Sequence, residues 1–127
     1  MARKEWTAEL KKGTVQLGIL ALLEGGRRYG FDIIGELRGR SRGYLDLKEG
    51  TLYPALHRLE KQGLLKAEWV LDEGGAPPRK YYSITADGRR SLDQARREWK
   101  LMVDGLSGVL TGTGDGPERA GGGGEPR

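Results

Sequence analysis

Between Glu49 and Ile84 the spacing of apolar residues changes from a helical to a strand-like period, and this change restricts the architecture more than any other feature of the chain. Leu52, Leu56 and Leu59 recur at i, i+4 and i+7, the spacing that gathers side chains on one face of a helix predicted over Glu49 to Gln62. Gly63 stands where such a helix ends in a left-handed C′ residue, a conformation open to a residue without a Cβ. Pro54 falls early in this helix, where amides lack intrahelical acceptors, and is expected to cost little. From Leu65 the period is two: Leu65, Ala67 and Trp69 alternate with Lys66, Glu68 and Val70. After the polar break Asp72-Glu73-Gly74-Gly75-Ala76-Pro77-Pro78, a second strand-like run spans Arg79 to Ile84. The stretch therefore reads as a helix followed by a β-hairpin with a long, wing-like loop.

Further helices flank this unit. A first helix is predicted from Thr7, as its cap, to Glu24, with Val15, Ile19, Leu22 and Leu23 on one face and Gly25-Gly26 as the stop. A second runs from Gly30 to Arg38 with Ile33, Ile34 and Leu37, followed by the basic connection Gly39-Arg40-Ser41-Arg42-Gly43. Beyond the hairpin, Thr85-Ala86-Asp87 can cap a last helix. In it Leu92, Ala95, Trp99, Met102, Leu106 and Val109 step by 3, 4, 3, 4, 3, the 3.5-residue repeat of a helix seam. Gly105 and Gly108 each weaken that helix by roughly 1 kcal/mol relative to Ala, so the seam needs a partner surface, in the same domain or on a second copy. The segment Gly112 to Arg127 has no aliphatic residue larger than alanine and is expected to be a disordered, glycine-rich tail. Its three carboxylates against two arginines leave it at −1 of the chain's +4, so the foldable part holds +5.

Composition removes several classes of function. About 110 foldable residues suit one small domain, a size at which self-association adds useful burial. No apolar run approaches the roughly 18 residues of a membrane span, and the polar amino terminus does not look like a secretory leader, so a cytoplasmic location is expected. The absence of cysteine excludes disulfides, thiolate nucleophiles and sulfur-ligated zinc, and a single histidine, His57, leaves little for a metal site or a triad. Neither a cofactor nor a metal is expected, and no constellation of acid, base and nucleophile points to an enzyme.

The fold class is mainly α with a small β-hairpin. Three helices followed by a hairpin is the order of a winged helix-turn-helix, in which the third helix enters the DNA major groove and the hairpin flanks it. The apolar stripe of the third helix leaves Thr51, Tyr53, Pro54, His57, Arg58 and Lys61 away from the core. Hydroxyls and free helix-start amides can bind phosphate oxygens, Lys48 can neutralise a phosphate, and Arg or His can reach base edges. Each residue also has a plainer role open to it. Tyr53 can be half-buried under the wing, His57 can lie on a solvated face, and Arg58 and Lys61 can pair with Glu60 and other carboxylates. Arg79 and Lys80 follow Pro77-Pro78 at the base of the wing, within reach of a phosphate row or the minor groove, or are simple strand-end charges. Tyr81, Tyr82 and Trp69 are expected to pack the hairpin, because alternation turns one of each neighbouring pair inward.

The block Gly50-Thr51-Leu52-Tyr53-Pro54, followed by Ala55-Leu56-His57-Arg58-Leu59-Glu60, is similar to the recognition-helix signature of the PadR family of transcriptional regulators. Tyr29-Gly30-Phe31-Asp32-Ile33 resembles that family's second-helix motif, and Arg79-Lys80-Tyr81-Tyr82-Ser83-Ile84-Thr85 with Ala86-Asp87-Gly88-Arg89 its second wing strand and the start of its last helix. The resemblance extends over about residues 10 to 110 and fits the short subfamily with one carboxy-terminal helix; the glycine-rich tail lies outside its pattern. It implies a homodimeric DNA-binding repressor acting on an inverted-repeat operator. Residues 1–84 would form the winged helix-turn-helix, 85–111 the dimerisation helix and 112–127 the tail.

Lys48, Gly50, Thr51, Tyr53, Pro54, His57, Arg58, Lys61, Arg79 and Lys80 are then the expected DNA contacts, and Leu92, Ala95, Trp99, Met102, Leu106 and Val109 the dimer interface. In some members of the resembling family an aromatic on the last helix stacks against flat hydrophobic ligands at the dimer centre. Trp99, with Trp6 and Val15 as first-helix companions, is the corresponding effector site here; a tryptophan on a helix seam is otherwise a core residue. The competing function is a winged-helix module that docks an acidic protein through its basic face, although Glu49, Glu60, Glu68, Asp72 and Glu73 dilute that face.

Overall fold

A computed structural model describes residues 5–112 of the chain. The elements are α1 (Trp6–Lys11), α2 (Thr14–Glu24), β1 (Arg28–Tyr29), α3 (Gly30–Arg40), α4 (Glu49–Lys61), β2 (Leu65–Val70), β3 (Arg79–Ile84) and α5 (Ala86–Thr111). Residues 113–127, nearly all of the segment expected to be a tail, lie outside the described residues.

The expected first helix is two helices. Gly13 adopts φ +84, a left-handed conformation that interrupts the helical hydrogen-bond ladder. The Thr14 hydroxyl, at the start of α2, donates to the Lys11 carbonyl at 2.7 Å. Thr7 therefore lies inside α1 and caps nothing, and Trp6 and Val15 stand on different helices. The hairpin also gains a strand. Arg28 and Tyr29 pair antiparallel with Tyr82 and Tyr81, giving a three-stranded sheet in the order β1-β3-β2. A two-residue strand buries too little side chain to leave a periodic trace in the sequence.

One compact unit runs to Leu92. Its core collects Ile19, Leu22 and Leu23 of α2, Ile33 and Leu37 of α3, and Leu52, Leu56 and Leu59 of α4, closed by Leu65, Tyr82 and Ile84 of the sheet. Leu45 and Leu47, from the α3–α4 connection, also enter it. The first turns of α5 belong to this unit. Thr85 donates its amide to the Leu64 carbonyl at 3.0 Å and its hydroxyl to the Gly63 carbonyl at 2.7 Å, and the same hydroxyl accepts the Gly88 amide at 2.9 Å as the helix cap. A Cβ on Gly88 would fall far inside contact distance of the Leu64 carbonyl oxygen and 2.7 Å from Ile84 Cγ1. Only glycine lets α5 start against the end of α4 so closely. Leu92, expected at the head of a dimer seam, is fully buried in this core and offers no surface to a second chain.

From Asp93 the helix continues as a separate unit. Trp99, Met102, Val103, Leu106, Val109 and Leu110 are all exposed there, between 36% and 79%. At about 100° per residue they share an arc of about 120°. Among the described residues no helix is long and apolar enough to cross a membrane.

Candidate nucleic-acid interface

Helix α4 is built to hold one face in and the other out. Leu52, Ala55, Leu56 and Leu59 are each 0% exposed, and their spacing uses up the inward arc completely. Gly50, Thr51, Pro54, His57, Arg58 and Lys61 are all exposed. At about 100° per residue these six occupy an arc of about 120° on the opposite side. Pro54 sits sixth in the helix, beyond the first turn, so its position is not among those whose amides lack an intrahelical acceptor, the ground for expecting it to cost little. The Gly50 carbonyl loses its intrahelical donor, and because both residues are exposed, solvent or a ligand can supply one.

The start of α4 has no side-chain cap. Lys48 occupies the cap position with extended backbone, and its carbonyl accepts the Thr51 and Leu52 amides at 3.0 and 2.9 Å. That leaves the Glu49 and Gly50 amides, rather than the whole first turn, for an external acceptor. At the far end, Gly63 takes φ +78 and the Leu64 amide returns to the Leu59 carbonyl at 3.0 Å, closing the helix as its sequence predicts.

The basic residues of this face are not consumed by local ion pairs. Among the described residues no salt bridge involves Lys48, Arg58 or Lys61, so the pairing with Glu60 that their spacing allowed does not form. The arginines that do pair lie elsewhere, as in Arg28 with Glu36 at 2.9 Å and Arg38 with Asp46 at 3.3 Å. His57 is exposed, and among the described residues no cluster of potential ligands could hold a metal ion.

Tyr53 stands between the two roles its sequence position left open. It is 37% exposed, with its ring and hydroxyl against Gly30, and it lines a cleft of about 350 Å³ between α4 and the sheet. Tyr29, Trp69, Pro78, Arg79, Lys80 and Tyr82 line the rest of this cleft. A Cβ on Gly30 would meet both the Tyr53 ring and its hydroxyl at 3.3 Å, and the Tyr82 ring at the same distance, so the glycine is what lets the two tyrosines close in. Burial first, then the Glu49 carboxylate and the Tyr82 and Tyr29 hydroxyls, raise the Tyr53 pKa above the ordinary tyrosine value. The phenol stays protonated and can donate a hydrogen bond to a phosphate oxygen.

Both wing-base cations sit on aromatic faces. The Arg79 guanidinium lies 5.0 Å from the Tyr29 ring centroid, and Lys80 Nζ lies 5.6 and 5.8 Å from the Tyr82 and Trp69 rings. Among the described residues neither has a carboxylate partner. Of the three aromatics expected to pack the hairpin, Tyr82 is buried and Tyr81 half-buried, but Trp69 is 65% exposed. In register it faces Lys80 beside the wing loop, beyond the Ala67–Tyr82 and Leu65–Ile84 pairs that pack into the core. Alternation identified its face correctly; it could not show where the cover ends.

The residues expected at an effector site lie apart in sequence and element. Trp6 on α1 and Trp99 on α5 are 62% and 47% exposed, and Val15 on α2 is half-buried.

Residues 19–94 match the profile described as the Transcriptional regulator PadR-like family. Transcriptional regulator Rv3488 of Mycobacterium tuberculosis is 38% identical over 89 residues, which cover 70% of this chain and 78% of that protein. Among solved structures, a PadR family transcriptional regulator from Eggerthella lenta superposes with a TM-score of 0.70 at 37% identity, covering 81% of this chain and 87% of its own. A transcriptional regulator from Clostridium thermocellum also reaches a TM-score of 0.70, at 34% identity over 78% of this chain and 95% of its own. The matched stretch contains the α2–α4 core, the wing and the start of α5, and on these grounds the chain belongs to the PadR-like family of winged-helix transcriptional regulators.

Proposed function

We propose that this regulator is a cytoplasmic homodimeric repressor that binds an inverted-repeat operator through α4 and the wing. The observation that carries the reading is the outward face of α4, on which Thr51, His57, Arg58 and Lys61 are exposed without intramolecular ion pairs, with the part-exposed Tyr53 at its margin. Lys48, Arg58, Lys61, Arg79 and Lys80 would neutralise phosphates, while the Tyr53 hydroxyl and the Gly50 amide would donate hydrogen bonds to phosphate oxygens. Thr51, His57 and Arg58 would read base edges, with the exposed Gly50 and Pro54 keeping the groove-facing surface low enough for close approach.

Dimerisation rests on the second half of α5. Trp99, Met102, Leu106 and Val109 are each about half exposed or more, as are Leu110 and part of Val103 beside them, and Ala95 begins the stripe. A contiguous apolar face of this kind calls for a partner, and a second copy satisfies it symmetrically. Two copies of α4 would then enter successive major grooves roughly 34 to 36 Å apart, and repression would follow from occlusion of the promoter. Residues 1–84 would be the DNA-binding part and 85–111 the dimerisation helix, although the first turns of the latter are built into the core of the former. A flat hydrophobic effector would stack on Trp99 and act by favouring a dimer whose α4 helices no longer match the groove spacing.

Footprinting on the DNA upstream of the protein's own gene tests the central reading. The expected result is a symmetric, salt-sensitive footprint with half-sites one helical turn apart, weakened in Arg58→Ala. Protein that is dimeric and folded yet protects no DNA at low salt would instead favour a protein-docking module. The effector reading is tested by titrating planar aromatic compounds: tryptophan quenching should occur and should disappear in Trp99→Ala dimers.

A further inference from the structure

We infer that Trp69 is an uncharged contact to the DNA backbone, an inference that rests on the DNA-binding reading above. Folding alone does not account for this side chain. Its strand face carries Leu65 opposite Ile84 and Ala67 opposite Tyr82, and Leu65, Tyr82 and Ile84 are all at most 8% exposed. Trp69 continues that face opposite Lys80 and is 65% exposed, so the largest apolar ring of the hairpin lies beyond the core. What it lines instead is the cleft that also holds Tyr53, and therefore the rim of the α4 surface.

The chemistry of the cleft names the occupant. Its walls pair flat aromatic faces with cations, Lys80 over Trp69 and Arg79 over Tyr29, and no lining residue is a carboxylate. A nucleic-acid strand presents the matching pair, a C–H-rich sugar beside a phosphate. Lys80, held 5.8 Å from the indole centroid, would meet a phosphate while the indole covers the adjoining deoxyribose. Such a contact reads no base, so it strengthens binding to every duplex alike, and it releases no counterion, so it leaves the salt dependence unchanged.

The test is a fluorescence-anisotropy titration of two labelled duplexes, one spanning the footprint and one of arbitrary sequence, between about 50 and 200 mM salt. Trp69→Ala should weaken binding to both by about tenfold, the equivalent of removing about 55 Å² of apolar contact, with the slope of log K against log salt unaltered. Trp69→Phe should recover most of the loss. Lys80→Met should reduce the magnitude of the slope by about 2, one contact in each half-site of the proposed dimer. Trp69→Gln, equally soluble on an exposed strand, repeats the comparison if Trp69→Ala unfolds early. The inference is overturned if both variants bind both duplexes within a factor of two of the wild type, or if their loss appears only as a changed slope. It is also overturned if the loss is confined to the footprint duplex. Failure of the wild type to bind either duplex removes the DNA-binding reading itself, a result distinct from these.

Discussion

Adding one methyl group at Gly88 separates what helix propensity favours from what packing permits. Gly88 lies in the first turn of α5, where Ala would ordinarily be preferred by about 1 kcal/mol. Its Cβ, however, would stand 2.7 Å from Ile84 Cγ1 and 3.1 Å from the Leu64 carbonyl carbon, with the carbonyl oxygen closer still. Carbon atoms rest at about 3.5 to 4.0 Å, so the Ile84 contact alone needs a displacement of about 1 Å. Ile84 is 8% exposed and has little free space, and the Leu64 carbonyl is backbone, fixed by the Thr85 amide at 3.0 Å. Overpacking of this kind costs about 1 to 3 kcal/mol, and with a backbone obstacle the upper part of that range applies. Net of propensity, Gly88→Ala should destabilise the protein by about 1 to 2 kcal/mol and lower its melting temperature by about 5 to 15 °C.

Thermal unfolding followed by far-ultraviolet circular dichroism, with all proteins at one concentration because an oligomer's stability depends on it, measures the shift. Gly35→Ala is the matched control. It lies mid-helix in α3 with nothing within 4 Å of its would-be Cβ, so the same chemical change there should stabilise by up to about 1 kcal/mol. A Gly88→Ala protein that melts at or above the wild type, or two variants that shift in the same direction, would refute the packing argument.

Ionisation of Tyr53 should be visible at high pH. A pKa raised in the folded state means stability present below the ordinary value of about 10 and lost as pH rises through the folded value, so the wild type should lose more melting temperature than Tyr53→Phe between about pH 9 and pH 11. Equal losses would show that the phenol is not shielded. If the proposed dimer forms through α5, Leu106→Asp should yield a folded monomer by light scattering, whereas Leu92→Ala, at 0% exposure, should cost roughly 2 to 5 kcal/mol of folding stability without directly removing the proposed contact. A dimer that survives Leu106→Asp would displace the seam from this face. Arg58→Ala and Lys61→Ala should each reduce the magnitude of the salt slope of DNA binding by about 2, one contact in each half-site of the proposed dimer, and an unchanged slope in both would place phosphate contact elsewhere.

Much of this architecture could be read from residue order. Long periodic segments announced themselves: the α4 stripe is buried as its spacing requires, the two wing strands fall on their strand-like runs, and Gly63 takes the left-handed conformation expected of it. The departures occur where a single residue or a distant neighbour decides. Gly13 breaks the first helix because one backbone angle outweighs the favourable spacing on either side. β1 exists only because β3 offers it a ladder, so nothing local marks it.

By itself the sequence determined which faces would be apolar, since periodicity and turn chemistry are properties of neighbouring residues, and it located the outward surface of α4 for the same reason. Only the tertiary structure decided how far each apolar face is covered. It drew Leu92 into the core, left Trp69 outside it, and brought Tyr53 and Tyr82 to 3.3 Å from the position a methyl on Gly30 would take. Coverage depends on which distant segments meet, and a hydrophobic stripe looks the same in sequence whether the partner is its own core or another molecule.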